Sequence, residues 1–143
     1  MATLQVTTAR PGSFVRAMRG AYIGVSWLFA LCLLVQFFLA GLGVFAGPEW
    51  FGVHAIFAFF FEFLTIIMLA LALLGRFPRS IPLFSLLLIG QFFLQYTFIE
   101  LGRSLNVIFI AAFHPVNAAI MLWVTIYVAR RAMAIVAASK KQD

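Results

Sequence analysis

Four long apolar runs divide the chain, and short stretches richer in polar residues separate them. The runs are Ala21–Ala46, Phe51–Leu74, Ile81–Ile99 and Val107–Val128. A helix that crosses the hydrocarbon core of a bilayer needs about 20 mostly apolar residues. Each run is close to that length, and each separating stretch contains a glycine, as expected where helices end. The pattern therefore predicts four transmembrane helices.

We accordingly predict an all-α fold, a four-helix transmembrane bundle over residues 21–131. The helices are expected at about 21–46, 51–74, 81–101 and 107–131, between an N-terminal segment 1–20 and a tail 132–143, both basic. Short loops predict that sequence neighbours pack antiparallel. The start of the chain also resembles a secretory signal, but its apolar run far exceeds the roughly 7–15 residues of a signal core, so we expect an uncleaved first helix.

The distribution of basic residues predicts how the bundle is oriented in the membrane. Only 10% of the residues are charged and 65% are hydrophobic, whereas a soluble domain carries about 25% charged residues. Nine of the ten basic residues flank the helices on the side of the two termini, and Arg103 is the exception. By the positive-inside rule, both termini lie in the cytoplasm. The net charge of +6 therefore needs no nucleic-acid partner, and the lipid bilayer is the expected partner.

Several polar residues interrupt the apolar runs and carry most of the chemical information. Ionisable groups at the centre of a membrane cost about 2.5–3.5 kcal/mol each, so such residues should face the interior of the bundle. Helical spacing agrees, because Gln91 and Gln95, and likewise His114 and Asn117, share a helix face. The residues are Gln36, His54, Glu62, Thr65, Gln91, Gln95, His114, Asn117 and Thr125.

Two further patterns point to the histidines. Pro115 directly follows His114 and removes the donor that the carbonyl of Ala111 would use, so the helix should bend there and turn His114 toward His54. In addition, the letters QFFL occur at 36–39 and again at 91–94, and a histidine follows in the next helix each time. The order suggests two duplicated helical hairpins related by an axis along the membrane normal.

These residues allow three interpretations. In the first, the His/Gln/Asn cluster only holds helices together, and the protein is a structural or accessory subunit of a larger membrane complex, or a homo-oligomer. In the second, the protein is an electron carrier with one b-type haem, whose iron His54 and His114 ligate. Polar neighbours would then orient the imidazoles or meet a propionate; the candidates are Gln36, Gln91, Gln95, Asn117 and Arg103. In the third, the cluster binds a quinone or another lipophilic ligand.

Glu62 and the missing motifs set the remaining expectations. Glu62 lies to one side of the His54 face, either as a hydrogen-bonded carboxylic acid or as a proton-carrying site. There is no P-loop, HExxH or GxSxG motif, so we identify no catalytic residue and favour a non-enzymatic role. Cys32 is the sole cysteine, which leaves no disulfide framework and no zinc spacing. No cofactor other than haem is expected.

The quoted segments resemble a known group of proteins. The stretch 36–45, QFFLAGLGVF, then His54, Gln91, the HPVN of 114–117 and the closing Ala129-Arg130-Arg131 resemble a family of small four-helix bacterial membrane proteins classed as a domain of unknown function. The resemblance covers about residues 20–131. It implies four helices and the bacterial inner membrane, and no activity, cofactor or catalytic residue. A looser likeness to four-helix membrane cytochromes b rests on the paired histidines alone.

Overall fold

The computed structural model describes residues 12–140 of the chain, and the side chains up to Ser139. It contains six helical segments: α1 (Ser13–Phe45), α2 (Trp50–Phe61), α3 (Phe63–Leu74), α4 (Ser80–Ser104), α5 (Ile108–Ala111) and α6 (Phe113–Lys140). The segments α2 and α3 together make one span, and α5 and α6 together make another. The described residues therefore hold four helices long and apolar enough to cross a membrane. The predicted four-helix transmembrane bundle is confirmed.

We number these spans 1 to 4 along the chain. Spans 1 and 3 each pack against spans 2 and 4, whereas no Cα atom of span 1 lies within 8 Å of one in span 3, and the same holds for spans 2 and 4. The four spans therefore lie at the corners of a square, with spans 1 and 3 on one diagonal and spans 2 and 4 on the other. Short connections make neighbours antiparallel, so the bundle has a basic end, at the start of α1, the α3–α4 loop and the end of α6, and an opposite end, which we call the histidine end.

Two spans are interrupted. Span 4 breaks at Ala112, between α5 and α6, because the proline ring at Pro115 removes the N–H that would bond to the carbonyl four residues earlier. The predicted bend is thus present as a break just before His114. The second interruption, at Glu62 between α2 and α3, was not predicted. There the N–H and the hydroxyl of Thr65 both bond to the carbonyl of Glu62, at 3.1 and 2.7 Å, which tightens this turn.

Two helices extend past their predicted ends. The first begins at Ser13, where position 21 was expected, and the fourth continues to Lys140, where position 131 was expected. Hydropathy marks only the part of a helix that fits hydrocarbon, whereas the backbone hydrogen bonds of a helix continue into the polar interface. Most of the predicted tail is therefore helical. Arg10 and Lys141 lie outside the described residues.

A buried polar contact crosses the half of the bundle nearer the basic end. The Ser85 hydroxyl donates to the carbonyl of Ile81 at 3.2 Å, so the Tyr22 hydroxyl is the donor in its 3.1 Å contact with Ser85. Both side chains are fully buried. The bond joins spans 1 and 3, whose backbones do not approach each other, across the axis of the bundle.

An aromatic layer separates this contact from the histidine end. The rings of Phe29, Phe61 and Phe92 come from spans 1, 2 and 3, and their centroids lie 5.5 to 6.1 Å apart. All three are buried. Edge and tilted ring contacts at such distances stabilise beyond the burial of area alone, so this layer forms a packed floor beneath the polar groups of the histidine end.

Arg19 fixes the loop at the basic end. Its Nε donates to the carbonyl of Gly75 at 2.8 Å, and its guanidinium lies over the Phe77 ring, 5.3 Å from the centroid. The first bond satisfies a carbonyl at the end of α3 that has no partner within the helix. The first span is thereby tied to the connection between spans 2 and 3.

The Tyr22 contact gives a first prediction. Tyr22→Phe removes the only hydroxyl-mediated bond between spans 1 and 3 in the described chain, and side-chain hydrogen bonds in membranes are worth about 0.6 kcal/mol on average and up to about 1.7. We expect the free energy of unfolding to fall by about 0.5–1.5 kcal/mol, measured by SDS-induced unfolding. Tyr127→Phe, in which the lost hydroxyl is exposed, is the matched control. Equal losses in the two variants would contradict this role of Tyr22.

Candidate functional site

Gln36 and His54 join spans 1 and 2 through a reciprocal pair of hydrogen bonds. The Gln36 side-chain Nε2 donates to the backbone carbonyl of His54 at 2.9 Å, and the imidazole Nδ1 of His54 lies 3.2 Å from the carbonyl of Gln36. Gln36 is buried and His54 is half-buried. The hairpin is therefore fixed at the histidine end by one glutamine and one imidazole.

The other hairpin is joined in a related way. The imidazole Nδ1 of His114 lies 3.2 Å from the carbonyl of Gln95, so span 4 is bound to span 3. One turn further along span 4, the amide nitrogen of Asn117 donates to the carbonyl of Gln91 at 2.9 Å. The side-chain amide of Gln91 in turn donates to the oxygen of Asn117 at 3.4 Å. Each histidine is thus held by a backbone carbonyl of the preceding span.

These bonds require a proton on Nδ1 of both imidazoles, because a backbone carbonyl can only accept a hydrogen bond. Neither Nε2 has a hydrogen bond to another described residue. The two ring centroids lie 6.1 Å apart, with 58° between the ring planes. Two imidazoles therefore meet across the diagonal between spans 2 and 4, and neither Nε2 bonds to another described residue.

Three buried amide oxygens near this pair have no hydrogen-bond partner, namely those of Gln36, Gln91 and Gln95. For two of them the assignment of oxygen and nitrogen follows from the network. The NH₂ group of Gln36 must point at the carbonyl of His54, because a carbonyl can only accept. The NH₂ group of Asn117 likewise points at the carbonyl of Gln91, so the side-chain oxygen of Asn117 accepts from the NH₂ group of Gln91. The buried amides of the histidine end therefore leave acceptors, and not donors, without a partner.

The hydrogen bonds also change the proposed correspondence between the hairpins. The repeated QFFL letters relate Gln36 to Gln91. In the structure, however, the carbonyl that holds a histidine belongs to Gln36 in the first hairpin and to Gln95 in the second. The functional counterpart of Gln36 is therefore Gln95, one helical turn after the letter match. The duplication itself stays a prediction.

The remaining candidate residues lie outside this network. Arg103 pairs with Glu100 through a 3.6 Å contact on the exposed surface of the histidine end. Glu62 is half-buried, and its carboxylate accepts a 2.6 Å hydrogen bond from the hydroxyl of Tyr96 on span 3. The described residues contain no group of three or more His, Cys, Asp or Glu side chains that could hold a metal ion.

Sequence reasoning placed five buried polar residues correctly and missed others that bond between spans. Gln36, Gln91, Gln95, Asn117 and Thr125 are all buried, as the helical spacing predicted. Three residues were missed, because nothing in a sequence pairs side chains on different helices; these are Tyr22, Ser85 and Tyr96. Ser and Tyr are also common in transmembrane helices, so their presence alone gave no signal.

Residues 36–102 match DUF6220, a family of unknown function. The DUF6220 match includes Gln36, His54, Glu62 and both glutamines of span 3, and it ends before the HPVN stretch at 114–117. No curated protein and no solved structure matches the chain. The match agrees with a membrane protein of unknown function, and it assigns no role to any residue.

The Gln91–Asn117 pair gives a second prediction. In Asn117→Leu the buried amide of Gln91 loses its side-chain partner, and a buried polar group left without a partner costs about 1–3 kcal/mol. We expect SDS-induced unfolding to register that loss. Adding Gln91→Leu to the same chain should restore part of the stability, because both polar groups are then absent. Strictly additive losses in the double variant would contradict a direct coupling of the two amides.

Proposed function

We propose that this protein is a membrane electron carrier that binds one b-type haem through His54 and His114. The observation that carries the proposal is the pair of imidazoles whose ring centroids lie 6.1 Å apart across the bundle, each oriented through Nδ1 and with no described partner at Nε2. Neutral imidazole nitrogens are the axial ligands of many haem proteins. A carbonyl that accepts from Nδ1 fixes the ring and makes Nε2 more basic, which is the usual setting of a metal-bound histidine.

The distance between the rings fits such a centre. A metal between two imidazoles needs about 2.0–2.1 Å for each metal–nitrogen bond, and with about 1.1 Å from nitrogen to ring centre the two centroids would lie about 6.3 Å apart. The centroids of His54 and His114 are 6.1 Å apart. The spacing is thus compatible with a metal held between the two rings, although packed aromatic pairs elsewhere in the bundle have the same spacing.

The number of ligands favours haem over a bare ion. A structural zinc site uses four protein ligands and a catalytic one uses three, whereas the described chain offers two imidazoles here and no third His, Cys, Asp or Glu. A porphyrin brings its own four nitrogens, so His54 and His114 would be the two residues that hold the group. Bound haem supplies one-electron redox chemistry. The chain contributes the two ligands, their orientation and the apolar floor of Phe61 and its neighbours.

A structural role is the second candidate, and a specific observation favours it. The hydrogen bonds of Gln36, Asn117 and both histidines all connect neighbouring spans. Bonds of this kind stabilise membrane bundles whether or not a ligand is present. In that case the protein would act as a small subunit of a larger membrane complex, and the three unpartnered glutamine oxygens would be a cost without a function.

For the location we propose the bacterial inner membrane with the basic end in the cytoplasm. Six arginines lie at that end of the described chain, whereas Arg103 lies at the histidine end beside Glu100; the six are Arg16, Arg19, Arg76, Arg79, Arg130 and Arg131. Because basic residues are retained on the cytoplasmic side, the imidazole pair would lie in the periplasmic half of the membrane. Arg103 would then be the basic group available to a propionate.

The absorption spectrum of protein purified in detergent from haem-sufficient cells tests the proposal. We expect a Soret band and, after reduction, the sharp visible bands of six-coordinate haem. His54→Ala and His114→Ala should each remove these bands, because each removes an axial ligand. Cys32→Ala, which removes the sole thiol, should leave the spectrum unchanged. Where an alanine variant fails to accumulate, His→Gln at the same position replaces it.

Two outcomes would count against haem. A colourless wild type with both histidine variants less stable would favour the structural role. A colourless wild type whose histidine variants unfold at the same SDS concentration as the wild type would exclude both candidates.

A further inference from the structure

A second polar pair lies within the hydrocarbon region, away from the histidines. The Tyr96 hydroxyl donates to the Glu62 carboxylate at 2.6 Å, and this bond joins spans 2 and 3. Glu62 is twelve residues from Trp50 at the start of span 2, which is about 18 Å along a helix and close to the middle of the membrane. Ionisable groups at that depth are expensive and mark functional sites.

The pair lies where two spans diverge. On the basic side of Glu62, span 2 packs against α4 through α3. On the histidine side, no Cα atom of α2 comes within 8 Å of one in α4, α5 or α6. The backbones of α2 and the second half of α4 therefore diverge toward the histidine end, a divergence that we call the lateral opening; Glu62 and Tyr96 lie at its deep end, beside the contacting rings of Phe61 and Phe92. On one side of the opening α2 carries His54. On the other side α4 carries Gln95, whose backbone carbonyl is bonded to the imidazole of His114.

The opening faces lipid and is bordered by aromatic side chains. Tyr96 is 48% exposed, although it carries a hydroxyl that a lipid chain cannot satisfy. Phe59 lies one turn before Glu62 and packs edge-on against Phe63, with ring centroids 5.9 Å apart, and both rings are about half exposed. On the other side the Tyr96 ring lies 6.3 Å from that of Phe92. Aromatic faces next to a carboxylate and a phenol suit an aromatic head group.

We propose that Glu62 and Tyr96 bind the head group of a membrane quinone, which enters laterally from the bilayer. A quinone ring carries carbonyl or hydroxyl oxygens on an aromatic or quinoid plane, with a long apolar tail. The Tyr96 hydroxyl, when it turns from Glu62, can donate to a ring carbonyl of the oxidised quinone, and the Glu62 carboxylate can accept from a ring hydroxyl of the reduced quinol. The flanking phenylalanines contact the ring, and the tail stays in lipid. This proposal stands on the opening and the polar pair and does not depend on haem.

Photolabelling tests the site. The full-length protein, in liposomes free of native quinone, is irradiated with an azidoquinone that carries a decyl tail, and labelled peptides are mapped by mass spectrometry. We expect label on α2 and on the second half of α4, displaced by an excess of unlabelled decylubiquinone. Tyr96→Phe should lower this label about threefold to tenfold, the effect of one lost hydrogen bond, and Glu62→Gln should weaken displacement of the label by decylubiquinol, whose ring hydroxyl donates to the carboxylate, by a similar factor.

Glu100→Gln and Tyr127→Phe are the matched controls, because they remove a carboxylate and a phenol hydroxyl from exposed positions elsewhere. Their labelling should equal that of the wild type. Thermal unfolding confirms that each variant is folded before labelling. Label spread over all lipid-facing helices, label that excess quinone does not displace, or equal loss in the controls would overturn the proposal. Labelling does not depend on bound haem. A failed labelling experiment therefore leaves the haem proposal standing, and a protein without haem leaves the quinone proposal standing.

Discussion

Polar groups within hydrocarbon must find their partners inside the protein, since no water is available to them. This requirement organises the bundle. At the histidine end it is met between neighbouring spans, because Gln36 bonds to His54 and Asn117 bonds to Gln91. Nearer the basic end it is met across a diagonal by Tyr22 and Ser85. The apolar rings around Phe61 lie between the two polar layers.

The same bonds leave nitrogen and oxygen atoms without a hydrogen-bond partner at the histidine end. Each imidazole uses its Nδ1 to hold a backbone carbonyl and has no described partner at Nε2, and three glutamine oxygens remain without partners. A bundle selected for stability alone would have little reason to bury that many acceptors, because each costs free energy. The cost is understandable when the acceptors belong to a binding site, whose rings are oriented by the hydrogen bonds that also join the helices.

Much of the architecture follows from the sequence. The apolar runs predict the spans, the 3.6-residue period predicts which face of each span is buried, and Pro115 predicts an interruption near His114. These signals succeed because they depend on the local chain and on the contrast between lipid and protein interior. The helix extensions beyond 21 and 131 were missed, because hydropathy does not report a helix that continues outside the hydrocarbon.

Contacts between spans could not be predicted in the same way. The two histidines were expected to face each other, but their carbonyl partners depend on the relative height of adjacent helices, and a shift of one turn exchanges Gln91 for Gln95. The bond between Tyr96 and Glu62 depends on the divergence of spans 2 and 3, which no local pattern encodes.

The proposed function depends on haem binding by both His54 and His114. A titration of ferric haem into the purified, folded protein, followed by electron paramagnetic resonance of the saturated sample, tests it. We expect saturation at one haem per chain with a low-spin ferric signal from two axial imidazoles. Binding that does not saturate, or a high-spin signal from a single axial ligand, would contradict it.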